Sequence, residues 1–306
     1  MSQITESLSL FLPHYHHSHT QYDSKYHALW QFMHAEPRPV FTLTVLREIL
    51  DVQARVKRYL SEQAGQAEDV RYLILASSVP DVFSLGGDLA LFADLIRNQD
   101  REHLLAYGQL CVECVFNNHT HLGIPHLTTI ALVQGSALGG GFEAALSSNV
   151  LVAERSASMG LPEILFNLFP GMGAYSLLAR RLDMVRAERF MSSGRQYGAE
   201  ELYEMGIVDV LAEDGQGVHA VNQFMRKHAR SSNGLQAIRQ VRERLAPLLM
   251  QELQDVVTIW VDAALRLTDR DLRTMGRLVA AQRRLTQRQE EDTLSSEEFM
   301  QERACA

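Results

Sequence analysis

The sequence has few cysteines, and their arrangement excludes two kinds of stabilising site. Only three cysteines occur in 306 residues: Cys111, Cys114 and Cys305. They cannot all pair, and Cys111-Val-Glu-Cys114 has no second cysteine pair to complete a zinc site. We therefore expect reduced thiols, with Cys111 and Cys114 facing the core on a helix. No metal site and no cofactor are predicted.

The sequence also lacks a long apolar run and a basic leader. No stretch approaches the roughly 18 apolar residues of a membrane span, and the start, Met-Ser-Gln-Ile-Thr-Glu-Ser, has no basic region of a signal peptide. These features predict a cytoplasmic protein. The 46% hydrophobic content and the net charge of −8 fit a soluble enzyme with one sizeable core, and neither nucleic acid nor membrane is a predicted partner.

Four histidines lie close together near the start of the chain, at positions 14, 16, 17 and 19. Such a cluster could bind a metal adventitiously, but it has no acidic or cysteine companions. Because chain ends are often loose, we expect a mobile tail here.

Apolar runs and helical spacing alternate over most of the chain. The predicted strands are residues 71–76, 128–133 and 149–153, with a strand-like stretch at 25–33, and the predicted helices are residues 42–60, 87–97, 101–118 and 140–147. This alternation predicts an α/β fold, and periodicity alone favours a doubly wound sheet. After about residue 230 strands cease; Ser231–Gly234 is a predicted linker, and a helical segment broken at Ala246-Pro247 follows.

The segment after the strand 128–133 combines a glycine cluster with a carboxylate. Gly139, Gly140 and Gly141 open an Ala-rich helix whose first turn contains Glu143. Amides at a helix start have no intrahelical partner, and glycine lets a ligand approach the backbone closely. One such amide suits a developing oxyanion, although a triple glycine can also serve only a tight helix–strand contact.

A second carboxylate and a second glycine turn complete the constellation. Glu163 lies in the apolar segment Leu161–Phe166, where burial would raise its pKa toward the range useful for proton transfer. The alternative is a solvated turn residue beside Pro162. Gly86 and Gly87 open another helix, so each of two helix starts can give one amide to the same oxygen.

In order and spacing the chain resembles the crotonase (enoyl-CoA hydratase/isomerase) superfamily. The motifs are V-F-S-L-G-G-D-L (82–89), Q-G-S-A-L-G-G-G-F-E (134–143) and L-P-E-I-L-F-N-L-F-P-G-M-G (161–173). This resemblance covers roughly residues 20 to 225. A closer likeness, which extends through residues 259–262 and 272–275, is to the diffusible signal factor synthases, which make cis-2-unsaturated fatty acid signals.

The resemblance implies a crotonase-type spiral of ββα units with a C-terminal helical region, and we follow it over the doubly wound alternative. It divides the chain into a flexible N-terminal segment (1–20), a spiral core with the active site (21–230), and an oligomerisation and lid region (231–306). It assigns the oxyanion-hole amides to Gly87 and Gly140, and the acid–base carboxylates to Glu143 and Glu163. Candidate substrate-pocket residues are Phe83, Leu138, Met159, Leu161, Leu168, Met172 and Trp260.

The implied reaction dehydrates a 3-hydroxyacyl thioester to the cis-2-enoyl thioester and hydrolyses it to a free acid. The thioester is carried on acyl carrier protein or CoA. The family implies a homotrimer or a dimer of trimers, and a sensor kinase receiver domain is a possible partner. An arginine stripe favours the acidic carrier protein, or else forms a solvated face or salt bridges to neighbouring subunits; it consists of Arg266, Arg270, Arg273, Arg277, Arg284 and Arg288.

Other functional classes fit the sequence less well. Neither Ser84 nor Ser136 fits the G-x-S-x-G pattern of a serine hydrolase. No Lys-Ser/Thr follows the triple glycine, as a phosphate-binding loop requires. A generic fatty acyl-CoA hydratase or isomerase keeps the same glutamates and amides, so it is the main alternative, and a non-catalytic docking role is the other.

Overall fold

Two β-sheets form the framework of the protein, whose computed structural model describes residues 13–62 and 70–282. The larger sheet has six strands in the order β1-β2-β3-β5-β7-β10, and the smaller has four in the order β4-β6-β8-β9. The strands are β1 (Ser18–Asp23), β2 (Ala28–Met33), β3 (Tyr72–Ser77), β4 (Val82–Ser84), β5 (Thr128–Val133), β6 (Ser136–Leu138), β7 (Val150–Glu154), β8 (Ser158–Gly160), β9 (Gln196–Gly198) and β10 (Val210–Ala212). From β2 to β10 neighbouring strands of the larger sheet run parallel.

The helices cover the sheets and end with a C-terminal group. They are α1 (Leu43–Glu62), α2 (Leu89–Arg97), α3 (Arg101–His119), α4 (Gly140–Leu146), α5 (Ala174–Arg181), α6 (Met184–Ser193), α7 (Ala199–Glu204), α8 (Gly217–Arg230), α9 (Ser232–Leu245) and α10 (Met250–Ala264), with 3-10 helices at His121–Gly123 and Pro162–Phe166. Residues 269–282 are also helical. Val257 and Trp260 of α10 share a hydrophobic core with Tyr107 of α3.

The strands follow a repeating ββα pattern. Strands β3, β5 and β7 lie in the larger sheet, and each is followed by a short strand, β4, β6 or β8, that pairs in the smaller sheet. Every residue of β5 is buried, as its apolar and β-branched sequence predicts for a central parallel strand. This arrangement confirms the α/β class and the crotonase-type spiral, and the doubly wound alternative is wrong because alternate strands enter a second sheet.

Three local expectations need correction. Ser18–Thr20 are not part of a flexible segment, because β1 begins at Ser18 and pairs antiparallel with β2. The backbone amides of His16 and His17 donate to the buried Glu48 carboxylate, so this histidine cluster is held against α1. The predicted linker at Ser231–Gly234 is wrong, since helix α9 begins at Ser232.

Two kinds of feature are absent from the described part of the chain. There, no helix combines the length and apolar character needed to cross a bilayer. Across residues 13–62 and 70–282, no three His, Cys, Asp or Glu side chains converge in a way that could hold a metal ion. Cys111 and Cys114 are unpaired and buried on α3, which confirms the expectation for these two residues.

Candidate active site

Glu143 lies buried in the first turn of α4, with 2% of its surface exposed. Its Oε1 accepts hydrogen bonds from the amides of Met172 (2.8 Å) and Ala174 (3.0 Å). These amides flank Gly173, the last residue of the third motif, whose φ of 119° is a conformation that favours glycine. The turn at Gly173 therefore aims two backbone donors at one oxygen of Glu143.

Burial and hydrogen bonding act in opposite directions on Glu143. Desolvation raises the pKa of its carboxyl to about 7, while the amides of Ala174 and Met172 favour the ionised form and lower the pKa. Without those donors the pKa would be higher still. The carboxyl is thus poised to change protonation near neutral pH, as a general base requires.

Glu163 approaches the same space from the 3-10 helix Pro162–Phe166. Its Oε1 packs against Gly139, where any Cβ would collide with it. Its Oε2 is buried and has no hydrogen-bond partner among the residues that the structure describes. Desolvation, followed by the charge of Glu143, raises the pKa of Glu163 to about 8.

The two carboxyls are unequal because two amides of another segment donate to Glu143, while the backbone hydrogen bond that lowers the pKa of Glu163 comes from its own amide. Hydrogen bonds to the ionised form favour ionisation, so the first proton leaves from Glu143. The negative charge left there holds the proton on Glu163. The pair therefore passes through a state with Glu143 ionised and Glu163 protonated, an assignment that the sequence left open.

The amides of Gly87 and Gly140 border the same cavity as the two carboxyls. A Cβ built on Gly140 would lie 3.3 Å from the amide nitrogen of Gly87, which shows how closely the two helix starts approach. Within the described residues neither amide donates to a protein acceptor. Two neighbouring backbone donors are what a carbonyl oxygen that gains negative charge requires.

Two residues that the sequence did not single out hold the Gly87 loop in place. The hydroxyl of Tyr107 donates to the carbonyl of Phe41 and accepts from the amide of Asp88 (3.4 Å). The Arg38 guanidinium donates to the Asp88 carboxylate at 3.0 Å, and that carboxylate also caps α2. Arg38 lies 50 residues before Asp88, so no local motif could reveal this ion pair.

The space open to the centres of water-sized molecules in this cavity is about 80 Å³, so the full volume between its walls is larger. Of the predicted pocket residues, Leu168, Met172 and Trp260 line it. Trp260 is 3% exposed and packs edge-on against the ring of Phe92. It is therefore both a core residue and a wall of the cavity.

The other four predicted pocket residues do not line this cavity. Phe83, Met159 and Leu161 belong to the surrounding hydrophobic core, and Leu138 packs against a separate small cluster. They neighbour the motif glycines in sequence, but strand geometry sends alternate side chains to opposite faces. Many of the missed lining residues come from α1 and α3, whose apolar spacing indicated only a helix face; they include Leu46, Ile49, Gln53, Cys111, Cys114 and Val115.

The sequence matches the enoyl-CoA hydratase/isomerase family over residues 60–287. Among curated proteins, the fatty acid oxidation complex subunit alpha of Pseudomonas syringae pv. tomato is 33% identical over 138 residues, which is 45% of this chain and 18% of the relative. The chain thus spans about a fifth of the length of that relative.

Solved structures share the fold over most of the chain. An enoyl-CoA hydratase from Bacillus halodurans superposes with a TM-score of 0.70 at 18% identity, covering 85% of this chain and 98% of that one. Pseudomonas aeruginosa DspI superposes with a TM-score of 0.62 at 23% identity, covering 80% and 95%. The family match, which covers well over half of the residues, and the shared spiral lead to one conclusion: the chain belongs to the enoyl-CoA hydratase/isomerase family.

Proposed function

We propose that the protein dehydrates 3-hydroxyacyl thioesters to 2-enoyl thioesters. One observation carries this proposal: a single cavity is lined by Glu143, Glu163 and the free amides of Gly87 and Gly140. The reaction needs a base for the weakly acidic α-proton, an acid for the leaving hydroxyl and donors for the enolate oxygen. The four groups supply these three requirements.

The reaction begins when the thioester oxygen binds the amides of Gly87 and Gly140. Glu143, ionised and held by Met172 and Ala174, removes the α-proton. The electron pair of the C–H bond then forms the enolate, whose negative charge lies on the oxygen bound by the two amides. The pair then forms the Cα–Cβ double bond as the Cβ–O bond breaks. Glu163 gives its proton to the departing hydroxyl, so that water leaves and both carboxyls exchange roles.

The finer proposal is that the product is a free cis-2-unsaturated fatty acid, as in diffusible signal factor synthases such as RpfF. Its support is the resemblance of the three motifs to that subfamily. For the hydrolytic step, the ionised glutamate activates a water that attacks the thioester carbonyl, and the two amides bind the resulting oxyanion. The C–S bond then breaks, and the carrier thiol leaves with the proton taken from that water.

An exposed arginine surface beside the cavity supports acyl carrier protein as the thioester carrier. This surface consists of Arg266, Arg270, Arg273 and Arg277, while Arg284 and Arg288 lie outside the described residues. Helix 269–282 is tied to the catalytic loops because Gln282 donates to the carbonyl of Leu85 (3.1 Å) and Asn167 donates to Asp271 (3.4 Å). An acidic carrier bound there would present its thioester near Gly87.

Reversing two of these charges tests whether acyl carrier protein docks on the arginine surface. In the double variant Arg273→Glu, Arg277→Glu we expect KM for a carrier-protein substrate to rise about tenfold, because an attractive surface becomes repulsive. KM for the matching CoA thioester should change much less, and so should both values in the control Arg226→Glu, whose site is exposed on α8. Equal effects on both carriers would argue against docking at this surface.

Filling the space between the two amides tests the oxyanion site. Gly140→Ala places a methyl group 3.3 Å from the Gly87 amide nitrogen, where the thioester oxygen is proposed to bind. We expect kcat to fall by about 10² to 10³, the effect of losing one oxyanion donor. The control Gly234→Ala, also in a helix and with no atom near the new methyl, should retain full activity. Unchanged kcat in Gly140→Ala would exclude this role.

Product analysis separates the proposal from the alternative. Purified protein is given 3-hydroxyacyl-carrier protein and, separately, trans-2-enoyl-CoA, and the products are identified by mass spectrometry with cis and trans standards. Release of a free cis-2-enoic acid supports the synthase. Hydration of trans-2-enoyl-CoA without free acid supports a generic hydratase, which the 33% identity to a fatty acid oxidation subunit also favours. No turnover of either thioester would reject both.

A further inference from the structure

The cavity continues away from the glutamates, along helix α4. Gly140 and Glu143 line it at the start of α4, and Ser147, which caps the end of the helix, lines it as well. A helix rises about 1.5 Å per residue, so Gly140 and Ser147 are about 10 Å apart along its axis. The cavity therefore extends about 10 Å from the proposed oxyanion site along α4, and we call this extension the channel.

The walls of this channel suit an alkyl chain. Leu46 and Ile49 come from α1, and Cys111, Cys114 and Val115 from α3. Burial raises the pKa of both thiols, so they stay protonated and act as small apolar groups. Between the glutamates and the far end, these walls are uncharged, and an apolar tail loses no hydrogen bonds by entering.

The far end of the channel is polar, in contrast to its walls. Three lining residues form this polar end, Gln53, Asn118 and Ser147, and Gln31 is a further polar lining residue. Gln53 donates to the carbonyl of Cys114 (3.1 Å) and accepts from Asn117 (3.2 Å). Asn118 donates to the hydroxyl of Ser147 at 2.8 Å.

These hydrogen bonds join the elements that surround the channel. Gln53 links α1 to α3, and Asn118 links α3 to the end of α4. Gln31 of β2 donates to the hydroxyl of Ser18 (3.3 Å), which itself donates to Glu48 (3.0 Å). The end is thus closed by side chains that are already satisfied and fixed.

We propose that this polar end is the stop that sets acyl-chain length, and that the protein selects medium-chain thioesters; this inference rests on the proposed function. An extended chain of single bonds advances about 1.2 Å per bond, so a 10 Å channel accepts an acyl chain of roughly eight to ten carbons. A longer tail would break the bonds of Gln53 and leave the buried partners unsatisfied, which is costly.

The test uses saturated acyl thioesters of increasing even chain length whose sulfur is replaced by a methylene, because these can be neither dehydrated nor hydrolysed. Their affinities are measured by calorimetry for the wild-type protein and for two opposite variants. Gln53→Ala opens the polar end, and we expect the analogue two carbons longer than the wild-type optimum to bind about tenfold more tightly, since two more methylenes are buried. Ile49→Phe fills the channel one helical turn earlier and should move the optimum to shorter chains.

A matched control and a stability measurement keep the result interpretable. Gln109→Ala makes the same change on the exposed face of α3 and should leave the length optimum unchanged. Each variant is first shown to melt cooperatively. If the folded Gln53→Ala and Ile49→Phe variants both keep the wild-type optimum, the polar end does not set chain length.

The same measurements distinguish this inference from the proposed function. A length optimum that shifts as expected, in a protein that never dehydrates a 3-hydroxyacyl thioester, would retain the channel and reject the proposed chemistry. Dehydration with an optimum that neither variant moves would retain the chemistry and reject the channel stop. Absence of binding at every chain length would reject both.

Discussion

Replacing Glu143 with glutamine is expected to lower kcat for dehydration by about 10² to 10⁴, the contribution of a positioned general base. Glutamine has nearly the same shape, and its Oε1 can still accept from the amides of Met172 and Ala174, so the loop and the cavity should persist. Only the ability to take the α-proton is lost. The measurement is steady-state dehydration of a 3-hydroxyacyl thioester.

Exchange of the substrate α-proton tests the role of Glu143 independently of dehydration. In deuterated water the wild-type protein should exchange the α-protons of a bound saturated thioester, because Glu143 and the two amides suffice for enolisation. Glu143→Gln should lose this exchange together with dehydration. If the folded variant retained either activity near the wild-type level, Glu143 would not be the base.

Replacing Glu163 with glutamine is expected to reduce dehydration by a comparable factor, about 10² to 10⁴, but for a different reason. Without a proton on Glu163 the 3-hydroxyl leaves poorly. Because Glu143 and the amides are intact, exchange of the α-proton in deuterated water should continue. Loss of dehydration with preserved exchange is therefore the signature of an acid at position 163, whereas parallel loss of both would contradict the division of roles.

The pH dependence of both activity and stability follows from the raised pKa values. The active state needs Glu143 ionised and Glu163 protonated, so the rate should be bell-shaped with limbs near 7 and 8, values that belong to the coupled pair. In Glu163→Gln the residual dehydration should lose the alkaline limb. A pH–rate profile of each variant provides the check.

The stability of the folded protein should depend on pH in the direction opposite to that expected from a salt-bridged carboxylate. In the unfolded chain these carboxyls ionise near pH 4.5, whereas in the folded protein they keep their protons to about 7 and about 8. The contribution of these two groups to stability is therefore greatest below pH 4.5. It is lost as the pH rises from 4.5 through about 7 and about 8. The Tm of Glu163→Gln should gain on the wild type over the same interval.

Local sequence features predicted the elements that carry the site. The run Thr128–Val133 was recognised as a strand because an apolar, β-branched run of that length belongs in a buried sheet. The glycines at 139–141 marked the start of α4 because they allow a positive φ and a close approach, and Gly139 has φ 52°. Strand and helix boundaries agree to within a few residues, since both depend on neighbours in the chain.

Expectations that depended on distant contacts were less accurate. The histidine segment was expected to be mobile, but Glu48, about 30 residues later in the chain, fixes it. The pocket list named residues near the motifs, whereas the channel takes much of its lining from α1 and α3. No periodicity indicates which of two buried helix faces borders a cavity.

The sequence by itself determined the alternation of buried strands and helices, the two glycine helix starts and the presence of Glu143 and Glu163, because each follows from backbone preference and residue type over short stretches. Only the tertiary structure decided which glutamate releases its proton first and where the channel ends. The order of proton release depends on the amides of Met172 and Ala174, and the end of the channel depends on the contacts of Gln53 with α3. Protonation and cavity shape are set by through-space contacts between segments far apart in the chain, and such contacts exist only after folding.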